Sequence, residues 1–160
     1  DKEVIAKLYE ASQAGVHIRL IVRGICVLRP GVPGLSENIE VHSVVGRYLE
    51  HSRLFCFHNN GKEDVFISSA DWMPRNLNER VELMIPIEYK PHKERIKKIL
   101  SLYFKDNVKA YAMNSDGTYR YLSDSRQGEA IHAQKQLQEM AEAHTRELRE
   151  LGLKRQIKGL

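Results

Sequence analysis

His51 stands two residues before Arg53 in the stretch YLEHSRLFCFHNNGKEDVFISSADWMPRN, residues 48 to 76, and the pair opens a short apolar run from Leu54 to Phe57. An Asn60-Gly61 dipeptide, suited to positive φ, separates this run from a second one that ends in Ser68, Ser69, Ala70 and Asp71. The spacing predicts a hairpin. Residues two apart on a strand share a face, so His51 and Arg53 point the same way. An imidazole can attack phosphorus, protonate a leaving oxygen or hydrogen-bond a phosphate. A guanidinium holds phosphate oxygens through paired N–H groups. Hydroxyls and backbone amides at Ser68 and Ser69 can cradle the same oxygens. A histidine that only caps backbone carbonyls is the plain alternative for His51, and turn formation is the plain alternative for the serines.

Other residues could join them. Arg23 precedes Gly24 at the carboxyl end of an expected strand, where α/β proteins commonly place ligand contacts. Arg75 and Arg80 could hold anions, although pairing of Arg80 with Glu79 or Glu82 is simpler. Asp71 and Asn76 complete a polar cluster behind Ser68 and Ser69. Arg29 and Glu37 lie in a Pro/Gly loop that either covers a ligand or only connects two elements. Trp72 and Met73 read as core. His17, His42, His58, His92, His132 and His144 show no metal-ligand spacing and read as structural. Cys26 and Cys56 sit in apolar surroundings, which predicts buried free thiols in a reducing compartment and no metal signature.

These groups need a scaffold. Residues 2 to 14 carry Val4, Ile5, Leu8 and Ala11 at helical spacing, with Gly15 as the stop. Val16 to Val22 reads as a strand. Arg29 to Asn38 holds two prolines and two glycines, which exclude regular structure. Ile39 to His42 reads as a short strand, and Ser43 as the cap of a short helix through Leu49 that delivers His51 at its end. The hairpin strands are Leu54–Phe57 and Val65–Ser68, followed by a strand over Val81–Ile87. Pro91 to Phe104 is a helix, with Ile96, Ile99, Leu100 and Tyr103 on one side and lysines on the other. A strand or turn region covers Val108 to Tyr121. From Ser125 the chain reads as a charged helix, whose thin stripe of Leu137, Met140, His144, Leu148 and Leu151 suits docking on a parent protein. Helices alternating with strands indicate an α/β protein.

At 160 residues, with 29% charged residues and a net charge of +4, the chain has the composition of one ordinary soluble globular domain with an appendage. The charge tolerates an anionic ligand but does not argue for nucleic acid. No apolar run spans a bilayer. The chain opens at Asp1 on a helical pattern without an initiator Met, as a piece of a longer protein would.

Three blocks carry a specific resemblance: VRGICVLRPGVPGLSENI (Val22 to Ile39), VVGRYLEHSRLF (Val44 to Phe55) and ISSADWMPRN (Ile67 to Asn76). Together they resemble the C-terminal catalytic domain of the large, phospholipase-D-like bacterial polyphosphate kinases. The likeness runs from Asp1 to Leu122, with 123–160 as a loosely matched, charged helical tail. It implies an α/β fold in which a phospholipase-D-like mixed sheet is flanked by helices. It also implies reversible transfer of the terminal phosphate of ATP to polyphosphate, with Mg2+ whose ligands lie outside this segment.

Such kinases resemble a tandem of two phospholipase-D-like domains behind an N-terminal and a head domain. The phosphorylated histidine belongs to the first of the tandem, so this chain alone should be inactive. By the same resemblance, His51 is the second-domain histidine that faces the nucleotide phosphates, and Arg23 contacts ATP. His51 and Arg53 look like a modified His-x-Lys pair, with Ser68-Ser69 in place of a Gly-Ser element and His58 where phospholipases place aspartate. His51 would bond the reacting phosphate or protonate the leaving bridge oxygen, and a second phosphorylation site is another role open to it. Arg23 and Arg53 would hold phosphate oxygens, with Arg75 and Arg80 along the path of the polymer. Partners implied are the preceding domains of the chain, ATP or ADP, polyphosphate and further copies in a homo-oligomer, in the cytoplasm or at its membrane face. No nucleic acid is implied.

Two other readings compete. One is a phospholipase-D-like phosphodiesterase half-site completed by dimerisation. The other is a non-enzymatic polyanion-binding module that uses Lys93, Lys97, Lys98 and Lys105.

Overall fold

The computed structural model describes residues 1–125 and 127–158. Helix α1 spans Lys2–Gln13 and starts at Asp1, whose carboxylate accepts the N–H groups of Glu3 (2.9 Å) and Val4 (3.1 Å). Gly15 then reverses the chain at φ +86°. Strand β1 (Ile18–Ile21) pairs in parallel with β2 (Ile39–Val44), which pairs antiparallel with β6 (Ala110–Met113), and β6 with β7 (Tyr119–Tyr121). This mixed sheet has the order β1-β2-β6-β7. Its core of Leu28, Ile39 and Val41 is covered by Ile5, Leu8 and Tyr9 of α1. The Pro/Gly loop between β1 and β2 is pinned by the buried Ser36, whose hydroxyl donates to the Arg29 carbonyl and accepts the Val32 N–H at 3.1 Å.

A second, antiparallel sheet holds β3 (Arg53–Phe57), β4 (Asp64–Ser68) and β5 (Met84–Pro86) in that order. A 3₁₀ turn over Asn59–Gly61 joins β3 to β4, with Asn59, Asn60 and Gly61 at positive φ. Helices α2 (Pro74–Asn78), α3 (Lys90–Lys105) and α4 (Ala133–Lys158) complete the chain. The mixed α/β architecture, its flanking helices and the C-terminal helix all match the expectation, with the strands divided between two sheets. No helix among the described residues is long and apolar enough to cross a membrane.

Several local expectations are corrected. No helix follows Ser43: Ser43 and Val44 extend β2 opposite Tyr111 and Ala110, and residues 45 to 52 have no regular structure. The ladder supplies hydrogen bonds that a capped helix would have had to replace, and two adjacent valines favour the strand. The strands expected over 16–22 and 81–87 shrink to Ile18–Ile21 and Met84–Pro86, with Val81 99% exposed. The last helix starts at Ala133 rather than near Ser125, and beyond Ala143 its described side chains are exposed. Neither cysteine is fully buried: Cys26 is half-buried and Cys56 exposed. Trp72 is half-buried and stacks on Phe55 at 5.1 Å, whereas Met73 is exposed.

Candidate functional site

Arg53 opens β3, opposite Ser68 of β4, and its guanidinium is spoken for on every side. Nε and Nη2 both meet Asp71 Oδ1 at 3.0 Å. Nη1 donates to the His51 carbonyl at 2.7 Å and lies 2.9 Å from His51 Nδ1. With 15% of the side chain exposed, this is an interior strut more than a free anion clamp. A guanidinium has no lone pair to offer, so the ring nitrogen must accept. Nη1 lies 2.9 Å from Nδ1 and 3.4 Å from Nε2, close to both ring nitrogens, so this contact orients the ring without assigning its tautomer. His51 itself is exposed.

Arg23 reaches the same place from another element. It is half-buried just past β1, and its Nη1 donates to the carbonyl of Glu50, the residue before His51. Two arginines from separate parts of the sequence therefore hold consecutive carbonyls of the segment that carries the histidine. The Glu50 side chain accepts from Gln134 Nε2 at 2.6 Å. Burial first, and then the hydrogen bond to the Glu50 carboxylate, pushes the Tyr103 phenol far above its ordinary range. A cleft of about 300 Å³ opens here, lined by Tyr48, Glu50, Tyr103, Gln134, Leu137 and Gln138.

The serines are engaged within the protein. Ser68 Oγ donates to the Leu83 carbonyl at 2.9 Å and accepts the Ala70 N–H at 3.1 Å. Ser69 Oγ donates to Glu82 and accepts the Leu83 N–H at 3.0 Å. Asn76 donates to the other Glu82 oxygen at 2.8 Å. The hydroxyl of Ser69 and then the Asn76 amide hold the Glu82 carboxyl below the usual carboxylate range. Ser68 and Ser69 thus brace the turn behind Arg53. Arg75 and Arg80 are exposed and, among the described residues, enter no contact ion pair, although the charge of Arg80 acts on Glu82 from farther off.

The structure brings His51, Arg53 and Arg23, three residues that the sequence singles out, to one place. The sequence reading missed Glu50, Glu82 and Gln134. Glu50 adjoins the motif and could have been noticed; Gln134 bonds to Tyr48, 86 positions away, and no local pattern reveals it.

Among the described residues no three His, Cys, Asp or Glu side chains converge as a metal set. The carboxylates nearest Arg53 are occupied, Asp71 by Arg53 and Glu82 by Ser69 and Asn76. These residues do not furnish a magnesium site.

Residues 1–134 match the family described as Polyphosphate kinase C-terminal domain 2. A polyphosphate kinase of Bacillus anthracis is 56% identical over 145 residues, covering 91% of this chain and 20% of the relative. One from Rhodopirellula baltica is 53% identical over 137 residues, 86% of this chain and 16% of the relative. The crystal structure of polyphosphate kinase from Porphyromonas gingivalis superposes with a TM-score of 0.83 at 46% identity, covering 90% of this chain and 22% of that one. The chain spans about a fifth of the length of the relatives it matches.

Proposed function

The chain belongs to the polyphosphate kinase C-terminal domain 2 family, and from that premise we propose that it supplies one wall of a phosphotransferase site that moves the terminal phosphoryl group of ATP reversibly onto polyphosphate. The observation that carries this is the convergence of Arg23 and Arg53 on the two carbonyls that flank and include His51. The wall is preorganised and cationic. Phosphoryl transfer draws its rate from positioning and from neutralising charge spread over the transferring oxygens, which suits such a wall.

His51 is exposed beside the Arg53 guanidinium, whose Nη1 lies within 3.4 Å of both ring nitrogens. In this reading a histidine elsewhere in the kinase attacks the γ-phosphorus of ATP, the bond to the bridging oxygen breaks, and ADP leaves. His51 donates a ring N–H hydrogen bond to that oxygen. Arg23 keeps guanidinium surface near the nucleotide phosphates. Arg53 acts by orienting His51, and the free cations Arg75 and Arg80 serve the polymer. Magnesium, which such a nucleotide carries, would find its ligands on the phosphates and on other domains. The remainder of the kinase chain, ATP or ADP, polyphosphate and further copies in a homo-oligomer are the partners, and the site works in the cytoplasm or at its membrane face.

The competing readings find less support. His58 lies at the far end of β3 from Arg53, and the carboxylates beside it are engaged, Asp64 by Asn59 at 2.6 Å and Glu63 by Lys97 at 3.0 Å, so neither is free to serve a phosphodiesterase. Of the lysines needed for a polyanion module, Lys93 donates to the Glu63 carbonyl at 2.8 Å and Lys97 pairs with Glu63 (3.0 Å) and Glu94 (2.9 Å). The deciding experiment is polyphosphate synthesis from Mg-ATP by the full-length kinase, wild type against His51→Ala. Loss of synthesis with ATP binding intact supports the reading; synthesis at the wild-type rate removes it.

A further inference from the structure

Residues 45 to 52 must hold His51 still without help from a helix or a ladder. Beside Arg23 and Arg53, one side chain from far along the sequence contributes three hydrogen bonds to this. Gln134, 4% exposed, accepts the Tyr48 N–H at 3.1 Å through Oε1 and donates to the Tyr48 carbonyl at 2.7 Å through Nε2. Its second N–H goes to Glu50 Oε1 at 2.6 Å. The amide pairs with Tyr48 as a neighbouring strand would, and only one orientation of it satisfies all three partners. Gly46 passes so close that a Cβ there would lie 2.3 Å from Gln134 Oε1 and 2.9 Å from Cδ.

Gln134 is itself anchored. The N–H of Ala133 bonds Asp106 Oδ2 at 2.7 Å, while Asn107 exchanges bonds with Ile131 and donates to the Glu129 carbonyl. The start of α4 is thus fastened to the end of α3, and from there Gln134 grips the segment whose Glu50 carbonyl receives Arg23 and whose next residue is His51.

We propose that Gln134 is a positioning residue of the phosphotransferase site: through Tyr48 and Glu50 it sets where His51 stands, and the first turn of α4 is a working part of the site rather than an appendage. This rests on the phosphotransferase reading given above. Near-attack geometry is sensitive on the ångström scale, and a displacement of about 1 Å can cost about 100-fold.

The test is made in the full-length kinase. Gln134→Ala lowers kcat for polyphosphate synthesis by about 10- to 100-fold, and in a His51→Ala background the same change costs less than about threefold more, because it acts through His51. Gly46→Ala lowers kcat in the wild type and adds nothing once Gln134→Ala has cleared the space. Should Gln134→Ala not fold, Gln134→Glu decides. The introduced carboxylate repels Glu50 and cannot donate until protonated, so its kcat relative to wild type rises several-fold as pH falls from about 8 to about 6. A kcat within about twofold of wild type in Gln134→Ala, fully multiplicative losses in the double variant, or a flat pH ratio in Gln134→Glu overturns the proposal. Wild-type synthesis by His51→Ala instead overturns the phosphotransferase role of His51, so the two failures are told apart.

Discussion

Arg53 Nη1 lies 2.9 Å from the Nδ1 of His51 and 2.7 Å from the same residue's carbonyl oxygen, so one nitrogen fixes both the ring and the main chain of the histidine. The other edge of the guanidinium is held by Asp71 at 3.0 Å. Only a planar, forked donor serves both partners at once. Arg53→Lys keeps the charge but must abandon one of them. We expect kcat of the full-length kinase to fall by about 10- to 100-fold, with less change in the KM for ATP. Asp71→Asn, which keeps an acceptor oxygen, should cost less. Activity of Arg53→Lys within about twofold of wild type would show that the strut is dispensable.

The two ring nitrogens of His51 make a sharper prediction. Nδ1 lies nearer Arg53 Nη1 than Nε2 does, at 2.9 against 3.4 Å, so we expect Nε2 to be the working atom. A glutamine amide nitrogen reaches the position of Nε2 and an asparagine nitrogen that of Nδ1. If a hydrogen bond to the bridging oxygen is enough, His51→Gln retains at least about tenfold more synthesis than His51→Asn, on the scale expected for one charge-directed donor. If instead the ring acts as an imidazolium that transfers a full proton, both variants are equally slow and the pH–rate profile loses a limb. Faster synthesis by His51→Asn than by His51→Gln would reverse the assignment of the two nitrogens.

Asp106 carries a structural prediction. It is 1% exposed and accepts three main-chain N–H groups, from Val108 (2.9 Å), Lys109 (2.6 Å) and Ala133 (2.7 Å). Asp106→Ala strands buried donors and should destabilise the chain by about 3 kcal/mol. Asp106→Asn, which retains one acceptor oxygen, should cost about half of that. Urea unfolding midpoints measure both. Equal stability in Asp106→Ala would mean that water replaces the carboxylate and that α4 is not fastened as described.

What could be read from the sequence follows from how far apart the interacting residues lie. The Asn60-Gly61 turn, the helix over 90–105 and the Pro/Gly loop are decided by neighbours, and their chemistry shows locally. The His51/Arg53 contact was legible from nearness in sequence, but not by strand alternation: His51 stands before β3, and the Arg53 guanidinium turns back onto it. The helix expected after Ser43 failed for a non-local reason: β6, nearly 70 residues on, supplies Tyr111 and Ala110 as ladder partners. Arg53 reads as a phosphate ligand from its type and its place beside His51, and its engagement by Asp71, 18 positions on, has no local sign. Gln134 was invisible, since its partners lie 84 and 86 positions away and a lone glutamine at a helix start has no signature.

His42 gives the pH dependence its sign. Its ring is 7% exposed on β2, with Nε2 2.8 Å from Glu40 Oε1 and no partner for Nδ1 among the described residues. Phe104 of α3 tilts against it at 5.8 Å, Arg19 of β1 bonds Glu40 at 3.1 Å, and Arg120 stands across Ala112 on β7. Burial pulls the imidazole below its ordinary value of 6.5; Glu40 opposes this, and Arg19 and Arg120 add to it. A histidine whose folded value is depressed binds more protons unfolded than folded in the window below 6.5. Stability is therefore complete above that pH and is lost as pH falls through the window toward the lower folded value. The slope for this one proton cannot exceed about 1.4 kcal/mol per pH unit. In His42→Gln, which cannot titrate, the loss of unfolding free energy between about pH 7 and pH 5 should be smaller than in wild type, as judged by urea unfolding at each pH. An identical pH dependence in the two proteins would mean that Glu40 holds the imidazolium in the folded state as well as water does in the unfolded one.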